Sequence, residues 1–142
     1  MERIVVGVDG SEAAEAALAF AVEEGRVRGA KVEAVMSWHE PYVAPTMVTI
    51  EPNAEVFADA AKATLDKAVD ALGDTSGVEI ERRVLRGNAA GVLLEAAEGA
   101  AMLVVGSRGR GGFTGLLLGS VSQQVVQHAR CPVVVVPHAA AD

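Results

Sequence analysis

Three apolar runs constrain this chain more than any other feature: Ile4-Val-Val-Gly-Val8, Met102-Leu-Val-Val105 and Val133-Val-Val-Val136. A strand with one wetted face alternates apolar and polar residues, whereas a run that is apolar throughout needs cover on both faces. Helical patterns lie between the runs. Residues 12–28 put Ala14, Leu18, Ala21 and Val22 on one face, with Ser11 placed to cap the helix start. Residues 53–72 are amphipathic, with Val56, Ala60, Leu65, Ala68, Val69 and Leu72 at helical spacing. Asn88 can cap a helix over 89–98, and a fourth helix is expected over 120–129. Two more strands are expected, over 31–37 and over 78–85. The latter alternates through Val78, Ile80, Arg82 and Val84 and so reads as less fully buried. The order β-α-β-α-β-α-β-α-β predicts an α/β fold with a parallel sheet covered on both faces by right-handed crossovers.

The length of 142 residues, without internal repeat or linker, predicts one domain over 1–142 with a frayed tail at 138–142. Pro41, Pro45 and Pro52 mark an irregular segment before the second helix, read as a lid or simply a mobile connection. A net charge of −7 argues against nucleic acid as a partner, because such partners need a basic face. No apolar run approaches the roughly 18 residues of a membrane span, and no leader pattern follows Met1. A single cysteine, Cys131, fits a reducing compartment and reads as structural, so a cytoplasmic address is expected. His39, His128 and His138 have no ligand spacing, so no metal site is expected from the protein's own side chains.

The segment from Gly106 to Gly119 carries the chemistry. It holds six glycines and two arginines, Arg108 and Arg110, between an expected strand and an expected helix. Glycines there leave backbone N–H groups unobstructed, and the following helix aims its N-terminus at the same place, which suits phosphate. The bland alternative is a surface loop that needs glycine only for its turns. The segment contains no lysine and no G-x-G-x-x-G pattern, so it is neither a Walker A loop nor a dinucleotide fingerprint. Ser120 has two compatible readings: a capping box with Gln123, or a hydroxyl donor to a phosphate oxygen. Asp9, ending the first strand in Asp9-Gly10-Ser11, either closes an Asx turn or faces a nucleotide. Ligands of open α/β sheets bind beyond the carboxyl ends of strands where strand order reverses. The Asp9 and Gly106 loops become neighbours there if the order is 3-2-1-4-5. Trp38 and Tyr42 can stack on a base, although a tryptophan at a strand end is also a common core plug.

With these residues in place, the chain resembles the universal stress protein family over essentially its full length, and its ATP-binding branch in particular. Gly106, Gly109, Gly119 and Ser120 satisfy G-x2-G-x9-G-(S/T), the pattern of that branch. The opening Ile-Val-Val-Gly-Val-Asp-Gly-Ser and the closing Cys-Pro-Val-Val-Val-Val-Pro are equally typical. One departure is Met102, where many members carry an acidic residue. The resemblance implies a Rossmann-like five-stranded parallel sheet of order 3-2-1-4-5 and a homodimer joined through residues 133–136. It implies a pocket lined by Gly7, Val8, Asp9, Gly10 and Ser11, with Asp9 on the adenosine side. Backbone around Met36 and Ser37 would read the adenine edge. Gly106, Ser107, Arg108, Gly109, Arg110, Gly111 and Gly112 would wrap ribose and phosphates. Gly119, Ser120, Val121 and Ser122 would close on the phosphates.

The function expected on this basis is ATP binding by a nucleotide-dependent regulator of the stress response, with any Mg2+ or Mn2+ held chiefly by the phosphates. Binding is favoured over turnover, since neither a general base, a lysine on the phosphates nor a metal-binding carboxylate cluster is evident. Two alternatives stand beside it: a slow ATPase or nucleotide-transferring enzyme, and a module for another nucleotide such as cyclic AMP or a dimeric scaffold that needs none.

Overall fold

In a computed structural model, residues 2–39, 54–108 and 118–137 are described. Nine elements follow one another: β1 (Arg3–Gly7), α1 (Glu12–Arg28), β2 (Lys31–Trp38), α2 (Ala54–Asp70), β3 (Ile80–Arg86), α3 (Ala89–Ala96), β4 (Met102–Gly106), α4 (Ser120–His128) and β5 (Val133–Val136). The strands form one sheet in the order β3-β2-β1-β4-β5, every neighbouring pair parallel. The Rossmann-like order expected from the sequence is therefore the order observed.

The apolar runs lie where their composition demands. Ile4, Val5, Val6, Leu103 and Val104 are fully buried. Because successive side chains point to opposite faces, each central strand feeds two cores. Ile4, Val6 and Val104 pack with Leu18 of α1 and Leu65 of α2 on one side. Val5, Leu103 and Val105 pack with Leu93 of α3 and Val125 of α4 on the other. β3 and β5 form the edges and are only partly buried; the burial of β3 does not alternate as its sequence suggests, because Val84 packs against one core and the next residue, Leu85, against the other.

Several element ends differ by a residue or two from the sequence expectation, each for a local reason. β2 runs on through Trp38, which pairs with Arg86 across the sheet. β3 begins at Ile80, because the Val78 N–H turns back to Thr75. α2 ends at Asp70, where Leu72 closes a tighter turn onto Val69. α3 stops at Ala96 rather than Glu98: Gly99 adopts a left-handed φ of 77°, and Arg3 takes the carbonyls of Ala96 and Glu98.

Candidate functional site

The central pair β1 and β4 leave the sheet in opposite directions, β1 feeding α1 and then β2, β4 feeding α4 and then β5. That makes the gap beyond their carboxyl ends the switch point of the fold. Past β1, the Val8 N–H still pairs with the Val35 carbonyl of β2 at 2.9 Å. The chain then turns sharply. An Asp9 carboxylate oxygen accepts from the Ser11 N–H at 2.9 Å, the Asx turn named as one of the two readings of this residue. Gly10 takes φ 84°, a backbone state that favours glycine. Ser11 caps α1, its hydroxyl accepting from the Ala14 N–H at 3.1 Å.

The second wall comes from β4. Gly106 ends that strand directly beneath the first turn of α1. A Cβ on it would stand 2.8 Å from the carbonyl carbon and the Cβ of Ala13, so only glycine lets the helix approach this closely. The next residue, Ser107, is pinned at both backbone groups. Its N–H donates to the Val136 carbonyl of β5 at 2.9 Å, and its carbonyl accepts from the Gly119 N–H at 2.6 Å. Gly109, Arg110, Gly111 and Gly112 lie outside the described residues, as do Pro41, Tyr42, Pro45 and Pro52.

The start of α4 corrects one reading. Ser120 and Gln123 do not form a capping box. The N-cap is Gly119, and Ser120 is the first helical residue, exposed at the end of the sheet. Gln123 donates its side-chain amide to the Leu118 carbonyl at 2.9 Å instead of reaching back to the cap. A glycine N-cap brings no side-chain acceptor to the first-turn N–H groups. α1 and α3, by contrast, are capped by Ser11 and by Asn88, whose side chain accepts from Gly91 at 3.1 Å. Such a helix start offers its N–H groups and the positive end of its dipole to an anion.

The expected site residues thus fall into two kinds. Asp9, Gly10, Ser11, Gly106, Gly119 and Ser120 gather at the carboxyl end of the sheet around the β1–β4 gap. Val8 and Met36 sit there too, but their side chains belong to the core shared with α1 and α2. Val121 packs against the other core. What Gly7, Val8, Met36 and Val121 can present to a ligand is backbone. Ser122 is buried, its hydroxyl donating to the carbonyls of Ser107 and Gly119 at 3.1 and 3.0 Å. Ser37 and Trp38 complete the end of β2. The Arg86 guanidinium lies 5.8 Å from the centroid of the Trp38 ring, and the Gly87 N–H donates to the Trp38 carbonyl at 2.8 Å. That cation–π pair went unread in the sequence, because nothing local ties residue 38 to residue 86.

Around Cys131 the environment is inert: burial pushes its thiol up from the ordinary value, which disfavours the reactive thiolate. Among the described residues no group of three His, Cys, Asp or Glu side chains is placed to hold a metal ion. No helix among them is long and apolar enough to cross a membrane.

A doubly wound parallel sheet with glycine-bearing turns at its switch point defines an α/β protein of the Rossmann-like class. The profile of the Universal stress protein family matches residues 1–137, and the chain belongs to that family. It is 40% identical over 134 residues to a universal stress protein of Mycolicibacterium smegmatis, an alignment covering 94% of this chain and 45% of that protein. The chain thus spans less than half the length of the curated relatives it matches. Two solved relatives carry adenine nucleotides. A universal stress protein in complex with cAMP superimposes with a TM-score of 0.70 at 26% identity, covering 97% of this chain and 98% of the other. One from Archaeoglobus fulgidus in complex with dAMP gives a TM-score of 0.65 at 25% identity, covering 96% and 98%.

Proposed function

We propose that this chain is an ATP-binding member of the family, in which the nucleotide is held more than consumed and acts as a regulatory ligand in the stress response. The observation that carries the reading is the start of α4, capped by a glycine and set against the Asp9 turn across the β1–β4 gap. Family relatives that bind cAMP and dAMP support an adenine nucleotide. The G-x2-G-x9-G-(S/T) pattern over Gly106, Gly109, Gly119 and Ser120 favours ATP among them. In this assignment Gly7–Ser11 face the adenosine, with Asp9 near the ribose. Backbone around Met36 and Ser37 meets the adenine edge, and residues 106–112 with Ser120 and the backbone of 119–122 take ribose and phosphates. The first-turn N–H groups of α4 and the charge of Arg108 and Arg110 offset the phosphate charge. A divalent ion would ride on the phosphates.

The same reading carries three further expectations: residues 1–142 act as one domain, in the cytoplasm, as a homodimer through β5. Val133–Val136 present a short apolar edge, and pairing with a second copy would cover it.

Isothermal titration with ATP, ADP, AMP and cAMP tests the proposal. ATP should bind at one site per chain and more tightly than cAMP, and Gly119→Val should abolish it by placing a side chain at the mouth of the helix. Stronger binding of cAMP would favour the cyclic-nucleotide alternative. Phosphate release well above a buffer blank that collapses in Asp9→Ala would favour the slow ATPase.

A further inference from the structure

The geometry assigns Ser122 a role that its place in the sequence does not suggest: we infer that it is a positioning residue, its hydroxyl not a ligand of the phosphates. Its side chain is buried at 4% exposure and turned inward, away from the end of the sheet where Ser120 is exposed. A hydroxyl has one hydrogen to give, and here two carbonyls share it: Ser107 at 3.1 Å and Gly119 at 3.0 Å. Those residues flank the glycine-rich segment on either side, and the Gly119 N–H is already bonded to the Ser107 carbonyl at 2.6 Å. Ser107 is in turn fixed to β5 through Val136 at 2.9 Å. The hydroxyl therefore sits at the centre of a knot that joins the end of β4, the end of β5 and the first turn of α4. It sets the angle at which the α4 N-terminus faces the switch point.

The contacts around Ser122 make this separable from a general structural role. Both carbonyls keep a backbone donor when the hydroxyl is removed: Ser107 keeps the Gly119 N–H, and Gly119 keeps the Gln123 N–H at 3.0 Å. Ser122→Ala leaves no orphaned acceptor and creates almost no cavity, so the fold should survive. What loosens is the orientation of the helix start, and with it the aim of N–H groups whose hydrogen bonds depend steeply on direction.

This inference rests on the proposal that phosphates lie at the α4 N-terminus. Its test compares ATP with adenosine on wild type and Ser122→Ala by calorimetry, together with amide hydrogen exchange at Gly119. Ser122→Ala should weaken ATP by about three- to tenfold, the worth of one ordinary hydrogen bond. Adenosine affinity should stay unchanged, and the Gly119 amide should exchange faster. Wild-type affinity for ATP in Ser122→Ala, an equal loss for ATP and adenosine, or an unchanged Gly119 amide each overturns the assignment. A wild-type protein that binds no adenine nucleotide overturns the phosphate reading itself and takes this assignment with it.

Discussion

The two ends of the one sheet treat polar groups in opposite ways. At the amino end, buried charge is consumed internally. Glu33 of β2, its side chain 7% exposed, is met by Arg3 at 3.4 Å, Arg83 at 3.3 Å and Lys31 at 3.7 Å. Arg3 also donates to the Ala96 carbonyl at 2.7 Å, so one guanidinium both ends α3 and neutralises β2. At the carboxyl end, the described groups include glycines, short hydroxyl side chains, the Asp9 carboxylate in its Asx turn, the Arg86–Trp38 pair and the helix-start N–H groups of α4. One end joins its elements through a shared buried carboxylate, and the other closes its turns with short hydroxyl and Asx contacts and leaves the start of α4 without a side-chain cap.

Breaking each end separately sharpens that contrast. The largest effect is expected from Gly106→Val, which drives a Cβ to within 2.8 Å of the Ala13 backbone. Chemical denaturation should show a loss at or beyond the top of the usual overpacking range of about 1–3 kcal/mol, with nucleotide binding gone. Next, Glu33→Ala should cost about 1–3 kcal/mol by leaving three cations without their shared carboxylate, while ATP affinity stays at the wild-type value. A Glu33→Ala protein that keeps its stability but loses binding would erase the division between the two ends.

Acid should weaken the frame. The Arg82 hydrogen bond, with help from Lys62, holds Asp66 below the usual carboxylate range, and the Lys31 hydrogen bond does the same for Glu81. A lowered folded-state value means these groups stabilise the fold at neutral pH, and that contribution is lost as pH falls through the carboxylate range, below about 4. Thermal melts across pH should decline there and stay flat between about 6 and 8 with respect to these groups. Arg82→Ala, on an exposed face with Asp66 at 2.8 Å and Asp70 at 2.8 Å, should give the smallest change of the set. High salt should remove most of it.

The frame was largely legible because its signals are local or periodic. Apolar runs without alternation marked the central strands, Ser11 and Asn88 marked two helix starts, and the strict β-α alternation fixed a parallel sheet. The finer structure was not legible where it depends on residues distant in sequence. Glu33 interrupts the otherwise apolar Val32-Glu33-Ala34-Val35, a signal that a buried carboxylate had partners, but not which ones. The capping-box spacing of Ser120 and Gln123 misled because a glycine one residue earlier took the cap, freeing the glutamine amide for Leu118. Ser122 reads in sequence as one more serine near a phosphate loop, and only the folded positions of Ser107 and Gly119 turn its hydroxyl inward.

The central claim is that an adenine nucleotide is held at the carboxyl end of the sheet, between the Asp9 turn and the start of α4. An amide chemical-shift titration with ATP tests it most directly. The account predicts saturable shifts in the amides of Gly7–Ser11, Ser107 and residues 119–122, with Arg3, Lys31, Glu33 and Arg83 unmoved. Shifts confined to the amino end, or none at saturating ATP, would contradict it.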